Sequence, residues 1–165
     1  MEDLSLHVLD VVENAVAAGA NRVDIRVMED EKKNLLTIEI EDDGKGMDEQ
    51  ELKRATDPFY TTKERKRVGL GLSLLSQAAA EADGKLDVKS EAGRGTLIKA
   101  TFKRSHIDRK PWGDMAQTLS ALIAGHPGVR FTYTYCKGET RSFLDTAEMQ
   151  DKEALENKGV DKPHD

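Results

Sequence analysis

Cysteine occurs once in the 165 residues, at Cys136. A single thiol excludes a disulfide framework within the chain and any zinc site built on cysteines. Long hydrophobic runs are missing as well. No apolar stretch approaches the 18 residues that would suggest a membrane span, and the N-terminus has no leader pattern. A cytoplasmic location without membrane contact is therefore expected. Nor is there a basic stripe. Lys63-Glu64-Arg65-Lys66-Arg67 is the one basic cluster, and the formal net charge is −6. That balance does not predict binding to nucleic-acid phosphates. No internal repeat is visible. Apolar residues make up 38% of the chain and charged residues 34%, which at this length predicts one core with a small appendage.

The pattern centres on Glu41-Asp42-Asp43-Gly44-Lys45-Gly46-Met47. The alternating run Leu35 to Ile40 before it reads as a strand. Two glycines one residue apart then predict a tight turn at the sheet's end, with an acidic pair fixed beside it. A carboxylate held there can accept a hydrogen bond from a ligand amine, although an acidic Asp-Gly turn is often only a turn.

Upstream, Leu4 to Ala18 has helical spacing. Leu4, Val8, Leu9, Val12, Ala15 and Val16 form an apolar face, and Gly19 stands at the C-cap. His7, Asp10 and Asn14 fall on one stripe. That stripe is either a solvated face or a metal-binding amide one turn from a carboxylate base. Val23 to Val27 alternates and predicts a strand forming an antiparallel hairpin with 35–41. A short helix follows over 48–55, with Asp48 near its N-cap.

Thr56-Asp57-Pro58-Phe59-Tyr60-Thr61-Thr62-Lys63 cannot be a regular element. Next, Val68-Gly69-Leu70-Gly71-Leu72 opens a helix predicted over 70–82, closed by Gly84. Amides at such a glycine-flanked start suit an anion, and the basic loop before it suits a phosphate chain. Two strands, 85–90 and 96–102, flank the loop Glu91 to Gly95. Beyond them come a polar link and a helix carrying Met115, Leu119, Leu122 and Ile123, with Asp114 as N-cap. A hairpin follows over 129–144. On its first strand Phe131, Tyr133 and Tyr135 share a face that must pack on something, either the preceding domain or a partner. From Asp145 onward the chain is charged and reads as a solvated helix or a disordered tail.

Four pieces thus stand in order: Asp10…Asn14, Asp42-Asp43-Gly44-Lys45-Gly46, Asp57 to Lys63, and Gly69-Leu70-Gly71-Leu72. Together they resemble the GHKL, or Bergerat-fold, ATPases over about Leu4 to Arg104. The segments Glu13-Asn14-Ala15 and Ala18 to Ile25 look most like mismatch-repair ATPases. Asp57 to Lys63, Val68 to Leu74 and Gly93-Arg94-Gly95-Thr96 look like sensor kinases. The resemblance implies an α+β fold, a two-layer α/β sandwich. Its sheet would be mixed but mostly antiparallel, with helices on one face and a helix-and-hairpin extension. The expected division is 1–104 for the ATP-binding domain, 105–147 for the extension and 148–165 for the tail.

The resemblance also implies ATP and Mg²⁺ as ligands. Asn14 would hold the metal, Asp42 the adenine amine, and Gly44 and Gly46 would let backbone approach the base. Phe59, Thr62 and Lys63 would lie in a lid over 57–68. Lys63 and the segment Gly69, Leu70, Gly71 and Leu72 would hold phosphates, and Thr96 would add a hydroxyl near the adenine. Asp10 stands where related enzymes carry a glutamate base, so it is the expected catalytic residue, with a structural or metal-shell role as the alternative. His7 is expected to be incidental. Only thirteen residues precede Asn14, which leaves no room for the acceptor-histidine hairpin of a sensor kinase. A stand-alone Mg-ATP domain is therefore expected, passing phosphate to a protein partner. The alternatives are an ATPase switch controlling an assembly and an ATP sensor without turnover. A second copy of the chain is a further candidate partner.

Overall fold

In a computed structural model, the described residues are 4–56, 70–106 and 115–148. Helix α1 (Leu4–Ala17) opens the fold. It ends in a Schellman motif: Gly19 has φ +89°, the Ala20 N–H reaches Ala15 O at 3.1 Å, and the Gly19 N–H reaches Val16 O at 3.0 Å. Strands β1 (Arg22–Asp30) and β2 (Leu35–Asp42) follow as an antiparallel hairpin. Helix α2 (Glu49–Thr56) starts with a reciprocal capping box. The Glu51 N–H donates to Asp48 Oδ1 at 2.8 Å, and the Asp48 N–H to Glu51 Oε1 at 3.2 Å. Helix α3 (Leu70–Glu81) is stopped by Asp83 at φ +55°, with the Gly84 N–H donating to Ala79 O at 2.7 Å. Aspartate, not the expected Gly84, takes the left-handed position.

Strands β3 (Lys85–Glu91) and β4 (Gly95–Lys103) form the next hairpin. A 3₁₀ turn (Arg104–His106), helix α4 (Met115–Gly125), and strands β5 (Arg130–Lys137) and β6 (Thr140–Asp145) complete the described order. The six strands make one sheet, ordered β3-β4-β2-β1-β5-β6. Only β1 and β5 run parallel among these neighbours, so the sheet is mixed and mostly antiparallel. This is the expected α+β sandwich.

Strand alternation decides which face is covered. Val23, Ile25 and Val27 of β1, Leu36, Ile38 and Ile40 of β2, and Ile98, Ala100 and Phe102 of β4 are buried together. Their partners in the core are Leu4, Val8 and Val12 of α1, Leu72 and Leu75 of α3, and Leu119 and Leu122 of α4. The opposite face is polar, with Arg26 bridging Glu39 at 2.9 Å and Glu41 at 3.0 Å.

Strands β5 and β6 belong to this same sheet. Phe131 is fully buried, and Tyr133 and Tyr135 pack partly buried against the core. At the sheet end remote from Asp42, the Tyr135 hydroxyl donates to Glu29, which also receives Arg104 Nε at 3.0 Å. Burial and the Glu29 carboxylate push the Tyr135 hydroxyl up to about 12. Among the described residues, no helix is long and apolar enough to cross a membrane.

Candidate nucleotide site

Asp42 is the last residue of β2, in phase with Ile38 and Ile40, so its side chain stands on the helix-covered face. It is half-buried. Among the described residues its carboxylate has one hydrogen bond, from the Gly44 N–H to Oδ1 at 2.8 Å. Burial pushes this carboxyl above its ordinary value. The Gly44 bond opposes that shift, and the Asp43 and Glu41 charges add to it. Asp43 is held quite differently: its Oδ1 accepts the backbone N–H groups of Asn21 at 2.8 Å and Arg22 at 2.9 Å.

The turn after Asp42 is clamped from two sides. Toward α1, the Lys45 N–H donates to Ala18 O at 3.2 Å. Toward the β3–β4 hairpin, the Gly93 N–H donates to Lys45 O at 2.6 Å, and the Met47 N–H to Ser90 Oγ at 2.8 Å. Gly46 has φ +69°, and a Cβ there would stand 2.1 Å from Glu91 O. Only glycine meets both the sign of φ and the closeness of that carbonyl. A Cβ on Gly44 would lie 2.9 Å from Asp42 Oδ1, against the carboxylate itself.

Asp42, Thr96 and Ser90 form one register row across β2, β4 and β3. Thr96 Oγ1 lies 2.8 Å from Ser90 Oγ, and Ser90 also reaches Gly95 O at 3.0 Å. A hollow of about 280 Å³ borders this row. Three of its lining residues, Glu41, Leu97 and Lys89, make up the adjacent row, whose side chains alternate to the face opposite α1, α3 and α4. The hollow therefore wraps the sheet's end rather than lying under α1.

On α1, the predicted stripe is uneven: His7 is 4% exposed, Asp10 is exposed and Asn14 is half-buried. A uniformly solvated stripe is thus ruled out. Helix α3 packs beside α1, with Leu72 in the core and Leu70 and Gly71 in its first turn. Asp42, Gly44, Gly46 and Thr96 lie at one end of the sheet, where Gly44 comes near Ala18 O and Ala20 N, and Asn14 stands one helical turn before Ala18. Phe59, Thr62, Lys63 and Gly69 lie outside the described residues. Among the described residues, no cluster of three or more His, Cys, Asp or Glu side chains could hold a metal.

Two contacts escaped the sequence reading. Ser90 looked like an ordinary strand residue, yet the hairpin register that pairs Glu91 with Gly95 places it opposite Thr96. His126, after α4, sits with Nε2 2.9 Å from Glu13 Oε1, next to Asn14 in the chain. A separation of 113 residues gives no local signal for that pair.

Comparison with known proteins fits this geometry. Residues 2–106 match the family described as histidine kinase-, DNA gyrase B-, and HSP90-like ATPase. The chain is 32% identical over 94 residues to sporulation kinase C of Bacillus subtilis (strain 168), covering 57% of this chain and 22% of that protein. It is 36% identical over 69 residues to the anti-sigma F factor of Thermoanaerobacter sp. (strain X514), covering 41% of this chain and 44% of that factor. The match thus spans less than half the length of either relative. The crystal structure of the N-terminal domain of a DNA repair protein superposes with a TM-score of 0.56 at 14% identity. That superposition covers 86% of this chain and 52% of the other, and it shows a shared fold.

Proposed function

The chain belongs to the family of histidine kinase-, DNA gyrase B- and HSP90-like ATPases, and from that premise we propose that it binds Mg-ATP beside Asp42 and passes phosphate to a protein partner. The observation that carries the reading is the Asp42 carboxylate, half-buried and bonded among the described residues to Gly44 alone. A partly buried acceptor with capacity left over is suited to a ligand N–H. The glycine at 44 supports this, because any side chain there would press on the carboxylate.

Each residue has a part in this proposal. Asp42 accepts the amino group of the base. Gly44 and Gly46 let the backbone approach the ring, and Thr96 adds a hydroxyl beside it. Asn14 offers an amide oxygen, the hard ligand type that Mg²⁺ favours. Leu70, Gly71 and Leu72 stand at the N-terminal turn of α3, whose N–H groups suit an anion. Phe59, Thr62, Lys63 and Gly69 are assigned to the nucleotide as well, Lys63 and Gly69 to its phosphates. When bound, ATP supplies the transferable phosphoryl group and Mg²⁺ neutralises its charge. Asp10, one helical turn from Asn14 and exposed, takes the proton from the accepting hydroxyl or water.

Similarity to a sporulation kinase and an anti-sigma F factor supports phosphate transfer to a protein. Incubation with γ-labelled ATP, alone and with candidate partners, tests it. Label on a partner supports the kinase reading, free phosphate alone supports an ATPase switch, and neither supports an ATP sensor.

A further inference from the structure

Ser90 Oγ has three polar neighbours: the Met47 N–H at 2.8 Å, the Gly95 carbonyl at 3.0 Å and Thr96 Oγ1 at 2.8 Å. A serine hydroxyl has one proton and two lone pairs. The Met47 N–H can only donate, so it occupies one lone pair. The Gly95 carbonyl can only accept, so that contact is a hydrogen bond only when Ser90 gives it the proton. One lone pair remains, and the Thr96 contact closes only if Thr96 donates into it. All three bonds are satisfied by this one arrangement of protons. Thr96 then has no proton for anything else, and its oxygen turns lone pairs alone toward the site. Its neighbour across the ladder is Asp42, whose ionised carboxylate also only accepts.

We propose that Ser90 is a positioning residue that sets base specificity: it holds the Thr96 hydroxyl with its proton turned inward, so that the site offers two adjacent acceptors. An exocyclic amino group satisfies such a pair. A base with a carbonyl at the same place brings a third acceptor there, and its one ring N–H beside that carbonyl can satisfy only one of the two, so at least one stays unpaired, the situation in which hydrogen-bonding sites discriminate strongly. The inference rests on the nucleotide reading above and extends it to a residue that does not itself touch the base. The Met47 N–H explains why the order is stable, since the loop carrying Gly44 and Gly46 is anchored to the same oxygen. Without the Ser90 hydroxyl, Thr96 is free to rotate and donate outward, and a carbonyl edge becomes acceptable.

The test compares ATP with ITP, in which a carbonyl replaces the 6-amino group, by calorimetric titration of the full chain. Wild type should prefer ATP. Ser90→Ala should shrink that preference at least tenfold, mainly by improving ITP, and Ser90→Thr, which keeps the hydroxyl, should restore it. A folded Ser90→Ala that weakens both nucleotides equally, leaving the ratio within threefold of wild type, overturns the inference while the nucleotide site stands. If Ser90→Ala does not fold, Thr96→Val decides, because it removes the outward lone pairs and keeps both backbone bonds to Ser90. It should lose the preference by a similar factor, and an unchanged ratio overturns the inference. Wild type that binds neither nucleotide overturns the inference together with the nucleotide reading.

Discussion

Asp43 and Arg22 are tied twice: the Arg22 N–H donates to Asp43 Oδ1 at 2.9 Å, and the Asp43 N–H donates back to Arg22 O at 3.3 Å. This reciprocal pair fixes the end of β2 against the start of β1. It also separates two adjacent acidic residues that look equivalent in the sequence. Asp43 is bound into the backbone through Oδ1, whereas Asp42, on the helix-covered face, has one bond among the described residues, from the Gly44 N–H.

Exchanging these two residues should therefore have opposite effects. Asp43→Ala leaves two N–H groups to water and should lower stability by about 1 kcal/mol, the usual loss for a carboxylate that caps backbone donors. Asp42→Asn should weaken ATP binding by roughly 10- to 100-fold, the worth of a charge-assisted hydrogen bond. Its effect on stability has the reverse sign. The native carboxyl sits above its ordinary value, so native Asp42 holds its proton to higher pH than unfolded Asp42 does. Stability falls as pH rises through that window, and the penalty is complete above the native value. Asp42→Asn removes the penalty, and its Tm near pH 7 should equal or exceed that of wild type. Calorimetry and thermal unfolding of both variants check the pair.

Asp10→Asn should leave ATP affinity roughly unchanged and slow phosphate transfer or hydrolysis by about 10²-fold or more, a usual loss for a general base. Asn14→Ala should abolish metal-dependent turnover. Neither residue is in the buried core, so both variants should keep the wild-type circular dichroism spectrum. Unchanged turnover in Asp10→Asn would assign that carboxylate a structural role.

How much of this could be read in advance follows from sequence separation. The hairpins, the Schellman end at Gly19 and the Asp48 cap depend on residues within six positions of one another, and each was legible. The turn at Asp42 to Gly46 was legible because two glycines one residue apart mark it, although the closeness of Glu91 O that also requires glycine at 46 comes from a hairpin 45 residues on. The division of labour between Asp42 and Asp43 was not, since it depends on the N–H groups of Asn21 and Arg22, more than 20 residues away. The place of β5 was also hidden. Its alternation shows a two-faced strand, but parallel pairing with β1 leaves no turn signal, unlike a hairpin.

Arg130 and Asp145 join β5 to β6 through two bonds, Nε to Oδ1 at 3.1 Å and Nη2 to Oδ2 at 2.6 Å. The Arg130 hydrogen bonds hold the Asp145 carboxyl below its ordinary value, against the opposing effect of burial. The stability gained is present above the unfolded carboxylate value, about pH 4, and is lost as pH falls through the lower native value. Arg130→Gln should therefore lower Tm at pH 7, and the gap to wild type should narrow toward pH 2. A gap independent of pH would show that the arginine stabilises by packing alone.

Phe131 and Phe143 test whether β5 and β6 are part of the core or only rest on it. Phe131 is 1% exposed and shares the core with Leu122 and Val23, whereas Phe143 is 57% exposed. Phe131→Ala should lower unfolding stability by about 3–5 kcal/mol, the usual loss for a buried phenylalanine. Phe143→Ser should stay within about 0.5 kcal/mol, as at most exposed positions. Ending the chain after Arg104 removes the parallel partner of β1 along with Met115, Leu119 and Leu122. Such a chain should be insoluble or lose cooperative unfolding, since it exposes one edge of β1 and part of the core at once. Denaturant unfolding of the three variants decides the matter. A truncated chain that unfolds cooperatively and binds ATP within about tenfold of wild type, about 1.4 kcal/mol, would show that α4, β5 and β6 pack on an already complete domain.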